Sequence, residues 1–468
     1  MTSKIVVNNI ESDSGISSVT FNSNIQIGTG TTIHSSGIDL GSGNITGGIV
    51  TATSFSGSAA NLTNIPAGNL SGTLPALDGS ALTGVGVGTA DSINTSGIIT
   101  ATAFVPTVGQ LSHRNLVING ECLVAQRGQV TGVSDGFGGP NRFRFQANYS
   151  AVTMSQSTDV PTGQGFAKSL KLDVTTAGGI SNASTYTQID YRFEGQELVR
   201  LKYGTSSAET TTLCFWIKSP KAGTHWVRLY GDELSASSGS AFISRKYTVS
   251  SANTWQKVTL KFPGYTSDGF DNDNTTGMRI SWYFAQGSAY TSGTAQADDG
   301  GWLDWGDVAD RARNSVGQVN CFDSTSNDIY LTGVQLEVGD TATSFEHRSI
   351  GEELHRCKRY CQVYKTDSGG GTYTRFASGI MQTTSSIRCI FYLNPEMRTI
   401  PSATKSGNFQ IFPASGLNIS NLNLESGTSS LRSAILHQSS GMSGTAGSSH
   451  YFSANDDATA KVTFDAEL

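Results

Sequence analysis

The sequence predicts an all-β chain in four parts: a fibrous N-terminal stalk over residues 1–112, a jelly-roll β-sandwich over 113–348, one short helix over 349–364, and a C-terminal β knob over 365–468. Three observations predict this. Charged residues are only 15% of the 468 positions while Gly alone fills 54, a composition of turns and short strands rather than helices. Short runs alternating apolar and polar residues recur through the middle and end of the chain. One window alone, Ser349–Tyr364, carries apolar residues at helical spacing.

Length and charge bound the rest. A chain of 468 residues holds about three domains at roughly 100 to 200 residues each. Its 31 basic and 37 acidic residues give a net charge of −6, and no window is basic enough to track a phosphate backbone, so nucleic-acid binding is not expected. The opening MTSKIVVNNIESDSG has no apolar run of signal-peptide or transmembrane length, which predicts synthesis in a cytoplasm and no membrane insertion. The six cysteines form no paired framework and are expected to be buried thiols. Cys357 and Cys361 with His355 fall short of the four closely paired ligands of a zinc site.

Residues 1–112 are poor in charge and aromatics, with no arginine and only Phe21, Phe55 and Phe104 as rings. Such a segment cannot close a core alone. It nevertheless repeats: Gly48-Ile-Val-Thr-Ala-Thr-Ser-Phe55 returns as Gly97-Ile-Ile-Thr-Ala-Thr-Ala-Phe104. Repeats of this kind bury their apolar side by stacking on neighbours, which three intertwined chains would supply. A flexible tether is the competing reading.

In 113–348, strands are predicted at Phe143–Gln146, Leu170–Val174, Leu213–Ile217, Trp226–Tyr230, Trp255–Phe262, Met278–Phe284 and Ile329–Glu337. Short antiparallel strands parted by Gly, Asn and Ser turns predict a two-sheet jelly roll of carbohydrate-module type, with long loops chiefly at 268–277 and 290–307. The helix follows. Ser349 and Glu352 make a capping box, Glu352 and Glu353 occupy the first turn, and Arg356, Lys358 and Arg359 lie toward the far end. Ile350, Leu354, Cys357, Cys361 and Tyr364 form an a/d-type seam. So short a helix must bury its seam against its own chain or against copies of itself. The residues leave these two open, and the flanking regions favour copies around a three-fold axis, a homotrimer. Beyond it, strands are expected at Phe376–Met381, Ile387–Leu393, Phe409–Phe412, Leu431–Leu436 and Ala460–Leu468, the last tying the chain end into a sheet.

The run Asn115-Leu-Val-Ile-Asn-Gly120 with Gln126-Arg-Gly128 resembles the opening of the jelly-roll domain in many bacteriophage tail-fibre proteins. Gly333-Val-Gln-Leu-Glu-Val-Gly339 with Ala342-Thr-Ser-Phe-Glu346 is similar to its closing strand, and Glu353-Leu-His-Arg-Cys-Lys-Arg-Tyr360 to the helix after it. Phe391 to Met397-Arg398 and Ala466-Glu-Leu468 are similar to the distal β domain of the same proteins. The N-terminal Ser-Lys-Ile-Val-Val-Asn-Asn-Ile and the repeat unit look like the stalk of fibres from phages of marine cyanobacteria. The resemblance implies a homotrimeric virion fibre, held through its N-terminus by tail, collar or capsid proteins and facing a host surface glycan or protein at its far end.

Candidate sites are few. Trp302 and Trp305, interleaved with Asp298 and Asp304 in a glycine-rich loop, suit a sugar: a ring packs the C–H face of a pyranose while carboxylates accept from its hydroxyls. The competing reading has one Trp plugging the sandwich and the acids solvated. Asp271, Asp273 and Asn274 offer oxygens to calcium, but the glycine and the bidentate glutamate of an EF-hand are missing, which favours a plain Asx-rich turn. Glu121 and Glu337 stand where carbohydrate modules sometimes hold structural calcium, though Glu337 is expected to point outward. No cofactor is expected. The least unsuitable glycosidase pair is Asp298 with Asp304 or Asp307, and no GxSxG elbow, HExxH or phosphate loop occurs. The expectation is therefore a non-enzymatic fibre for adhesion. Alternatives are a capsid or collar decoration fibre without a receptor and a glycan-depolymerising tailspike.

Overall fold

The computed structural model describes residues 113–178, 180–366, 371–412 and 423–468. The stalk over 1–112, with its repeats, lies outside the described residues. The described residues fall in one compact unit, built from two β domains.

The first domain is a sandwich of two antiparallel sheets. One has six strands in the order Val130–Val133, Ala151–Ser157, Ser169–Thr176, Asp328–Val338, Thr211–Lys218 and Trp255–Phe262. The other has seven: Leu303–Asp304, Ser240–Val249, Gly223–Ser235, Thr276–Gln286, Tyr186–Glu194, Phe143–Ala147 and Asp135–Phe137. All seven strands predicted in this region fall within these. Period-2 alternation sets their inner faces. In Ser169–Thr176, for instance, Leu170, Leu172 and Val174 are buried and Lys171 and Asp173 between them are half-buried. Ile189, Tyr191 and Phe193 from one sheet meet Leu213, Phe215 and Ile217 from the other in a single core, where Phe215 lies edge-on to Trp282 at 5.8 Å. The six-stranded sheet's Asp328–Val338 strand is interrupted at Gly333, whose φ of +62° and close approach to Phe166 admit no other residue without strain.

Buried polar groups punctuate this core. His225 is fully buried, stacks on Tyr247 at 5.5 Å and places Nε2 at 3.1 Å from Lys221 O, so that nitrogen donates. Burial holds its pKa down to about 4, against the help of the Lys221 carbonyl. The folded protein thus keeps His225 neutral where the unfolded chain, with a pKa of about 6.5, takes up a proton. Its contribution is present above that value and is lost as pH falls from about 6.5 toward 4, on the order of 3 kcal/mol in all. Urea denaturation at pH 7 and 4.5 is expected to show this drop in the wild type and a smaller one in His225→Asn.

The helix is Ile350–Lys358, shorter than expected. Ser349 caps it by accepting from Glu352 N, but the reciprocal half of the box is not made, and Glu352 instead pairs with Arg356 at 2.9 Å. Glu353 does more than face the dipole: it is buried, accepting from Asn119 N at 2.6 Å and from Arg348 Nη1 at 3.2 Å. The expected continuous seam does not form. Cys361 and Tyr364 lie on a strand, Cys361–Lys365, that pairs with Lys461–Asp465, and Tyr364 packs on Phe391 and Phe464. Cys357 is covered by Ile118, Val124 and Tyr360 of its own chain, with Leu354 against them, while Ile350 is 64% exposed. Past the helix end the chain joins a sheet at Cys361, and Tyr360 between them turns inward beside Cys357. The Tyr360 ring carries the Arg142 guanidinium at 3.4 Å and its hydroxyl donates to Glu194 at 2.5 Å. Arg359 grips the same Glu194 with Nε and Nη2 at 2.7 and 2.6 Å.

The second domain accordingly begins at Cys361 rather than at 365. Its three-stranded sheet runs Cys361–Lys365, Lys461–Asp465, Ser402–Ser406. The six-stranded one runs Phe409–Phe412, Ser449–Ala454, Arg375–Met381, Ile387–Tyr392, Ser433–Gln438, Asn423–Leu424. Phe391, Phe409, Phe452 and Phe464 anchor a core separate from that of the sandwich.

Candidate functional site

Alternation along the seven-stranded sheet that sends Ile189, Tyr191, Val227, Leu229, Ile280 and Trp282 into the core sends their neighbours to its outer face. Register then lines these up across strands. Arg228 lies opposite Ser281, Ser281 opposite Asp190 and Asp190 opposite Arg144. One row away, Tyr230 lies opposite Arg279 and Arg279 opposite Arg192; on the other side, Tyr283 lies opposite Gln188 and Gln188 opposite Gln146. Polar side chains so arranged would ordinarily be solvated. Here several are buried, Arg228 at 4%, Gln188 at 7% and Tyr283 at 1% exposure, because the segment after Gln286 folds back over one end of the face.

That segment carries two short helices, Ser288–Thr291 and Val308–Arg311, around the edge strand Leu303–Asp304. It brings Trp305 onto the sheet, stacked on Tyr290 at 5.9 Å and edge-on to Tyr230 and Phe242 at 5.5 and 5.3 Å. The Arg228 guanidinium is enclosed by rings: 4.5 Å from Trp305, 4.8 Å from Tyr230 and 5.3 Å from Tyr283. Between this wall and the sheet is a cleft of about 240 Å³, with Trp305 and Tyr290 at one side and Arg228, Arg279, Gln188 and Gln286 among its lining. Burial opposes the charge of Arg279, but Asp232 at 2.6 Å, helped by Asp190, more than offsets this and holds its pKa up. The Tyr283 phenol is pushed up by burial, against the pull of Arg228. Aromatic faces beside fixed donors are what a sugar ring needs.

No family model matches the chain, and no curated protein does. Solved structures with some likeness include the enzymatically active domain of bacteriophage CBA120 tailspike protein 4, at 14% identity and a TM-score of 0.25 over 48% of this chain and 21% of that one. Others are the CBM22-2 xylan-binding domain from Paenibacillus barcinonensis Xyn10C, at 14% identity and 0.23 over 42% and 91% of the two chains, and the family 11 carbohydrate-binding module of cellulosomal cellulase Lic26A-Cel5E of Clostridium thermocellum, at 14% and 0.21 over 47% and 98%. Likenesses at these scores carry no weight here. The sandwich stands on its own strand order and register.

Of the four residues expected to meet a sugar, the cleft gathers one, Trp305. Trp302 packs against the edge of the sandwich core instead, near Tyr203 and Tyr265, with Nε1 donating to Pro263 O at 2.9 Å. Asp304 is consumed by its own loop, accepting from Ser238 N and Oγ and from Gly306 N at 2.6 to 2.8 Å. Asp298 lies in solvent, 3.6 Å from Lys246, and Asp307 caps the Val308–Arg311 helix. Arg228, Tyr290 and Gln286, which also line the cleft, sit on or just past predicted strands. The polar positions alternating with their core residues were the available signal.

The oxygen-rich loop at 271–274 makes a turn and a docking contact. Asp273 accepts from Thr275 N and Oγ1 at 2.8 and 2.7 Å, Asp271 N donates to Glu233, and Asn274 exchanges hydrogen bonds with the backbone and guanidinium of Arg398. Glu337 does not point outward: it is 2% exposed, and its carboxylate accepts from Thr343 N and Oγ1 and from Gln335. Glu121 is held 2.9 Å from His347 Nδ1. Burial pushes the Cys361 thiol up to about 12 despite the nearby Arg127, which leaves it protonated and a poor metal ligand.

Proposed function

We propose that this chain is a bacteriophage tail-fibre protein that adheres to a host surface glycan through the outer face of its seven-stranded sheet, without cleaving it. The observation that supports this most directly is the cleft beside the stacked Trp305 and Tyr290 rings, floored by side chains held in place by strand register. The fibre assignment itself rests on the order of the sequence motifs that resemble tail-fibre proteins. Residence in the virion, attachment through the N-terminus and assembly as a homotrimer belong to the same proposal. Trimerisation would add avidity to weak single contacts. The Ile350–Tyr364 seam, largely covered by its own chain, does not support it; an uncovered apolar face of the second domain, with Tyr392 at 77%, Phe412 at 48% and Ile380 at 47% exposure, does.

Isothermal titration of the full chain with host surface polysaccharide tests the adhesive role. Trp305→Ala and Tyr290→Ala are each expected to weaken binding by roughly tenfold, the worth of one ring on one sugar face. Unchanged binding in both variants would move the contact off this sheet, and no binding by the wild type would leave the decoration role. New reducing ends after incubation would replace adhesion by cleavage. A monomer of 49.3 kDa in light scattering would remove the three-chain assembly.

A further inference from the structure

We infer that the cleft takes an acidic saccharide, with the acid of the sugar, a carboxylate or a sulfate ester, seated against Arg228. The inference rests on the proposed glycan-binding role and names the class of glycan.

Charge accounting on the outer face carries it. Four arginines occupy that face. Arg144 meets Asp135 at 2.8 Å, Arg279 meets Asp232 at 2.6 Å and Arg192 meets Asp190 at 3.9 Å. Among the described residues, Arg228 joins no ion pair. It is 4% exposed, its Nε has no hydrogen-bond partner, and its Nη2 has only Ser281 Oγ at 3.4 Å. A buried guanidinium without a carboxylate is costly; the surrounding rings offset part of that cost and leave its donors open. A second buried donor in the same lining, Gln286 Nε2 at 2% residue exposure, is also without a partner.

Acidic groups are absent from the lining itself. The cleft is bounded by glutamines, tyrosines, Trp305, Arg228 and Arg279. Asp190, the acid nearest to Arg228 in the register, is fully buried beneath the face, accepting from Gln188. Three arginines each have an aspartate within 4 Å, while Arg228 has only the more distant, shared carboxylate of Asp232, so the floor keeps one positive charge in excess. The planar donor fork of arginine fits a carboxylate or a sulfate, and a neutral sugar would leave it unanswered. Trp305 and Tyr290 then hold the sugar ring whose acid reaches Arg228.

The test uses the full-length wild-type protein and matched glycans: uronate oligosaccharides beside the same oligomers with their carboxyls reduced to alcohols, and sulfated oligosaccharides beside their desulfated forms. The expected result is binding of an acidic member at least tenfold tighter than its neutral match, weakening as salt is raised and lost in Arg228→Gln. The arm in which the preference appears tells carboxylate from sulfate. Neutral and acidic members bound equally, with Trp305→Ala still weakening both, would overturn the acid preference and leave glycan binding standing. Binding of none of them would remove both. The comparison between matched glycans needs no variant, so it stands even if Arg228→Gln is unstable.

Discussion

Replacing Glu467 with alanine is expected to destabilise the protein by about 3 to 5 kcal/mol, the usual loss when one member of a buried ion cluster is removed. Glu467 is 2% exposed at its side chain and answers two guanidiniums at once, Arg142 through Oε2 and Arg127 through Oε1, the latter at 3.2 Å. Arg142, 1% exposed, lies over the Tyr360 ring and also donates to Arg192 O at 2.6 Å. Burial works against the Arg142 charge, and Glu467 is the chief group holding it. Without that carboxylate both cations remain buried at the junction between the two β domains. Asp465 is the control. It meets Arg127 at 2.6 Å but is 29% exposed, and Arg127 keeps Glu467 when it is lost, so Asp465→Ala is expected to cost about 1 kcal/mol or less. Guanidinium denaturation of both variants decides the matter. Equal losses would mean that the junction is held by packing rather than by the shared carboxylate.

This cluster also marks the limit of what the chain discloses before it is folded. The core strands were legible because each carries its own signal: Leu170, Leu172 and Val174 alternate within a few residues, and Trp255–Phe262 is found as predicted. The helix start was legible from Ser349, whose cap is local. Its end was not, because the chain past it joins a strand, Cys361–Lys365, whose partner Lys461–Asp465 lies about 100 residues further on in sequence. On that strand Cys361 and Tyr364, three apart, point to opposite faces, so their a/d spacing describes no single seam. The cleft was harder still. Trp305 stood out as an aromatic in an acidic loop, but Arg228, Gln188 and Gln286 become neighbours only through the register of the Gly223–Ser235, Thr276–Gln286 and Tyr186–Glu194 strands. Whether an arginine has a carboxylate to meet is a property of that register, and no local pattern reports it.

Asn119→Asp, a change of one atom type, is expected to destabilise the protein by about 3 kcal/mol, more than the deletion Asn119→Gly at about 2 kcal/mol. Asn119 is fully buried at a φ of +62°. Its Nδ2 donates to Val124 O at 2.9 Å and Asn141 O at 3.0 Å, and its Oδ1 accepts from Val124 N at 2.9 Å. The main-chain N–H of the same residue donates to Glu353 of the helix. This one residue thus closes the 119–124 turn with its side chain, which also ties the turn to Asn141 of the sandwich, and holds the helix through its main-chain N–H. Gly120 beside it is equally constrained, since a Cβ there would stand 2.1 Å from Val334 O. Aspartate would turn a carboxylate oxygen toward two carbonyls and place a charge near Glu353, whereas glycine accepts the positive φ and only forfeits the bonds. The aspartate penalty must therefore depend on pH. Burial among acceptors raises the folded-state pKa of the new acid above its unfolded value, so stability is lost as pH rises between the two and recovers as pH falls below about 4. Thermal melts of both variants at pH 7 and pH 4 measure this. A gap between aspartate and glycine that stays constant with pH would mean that lost geometry, not misplaced charge, sets the cost of altering this turn.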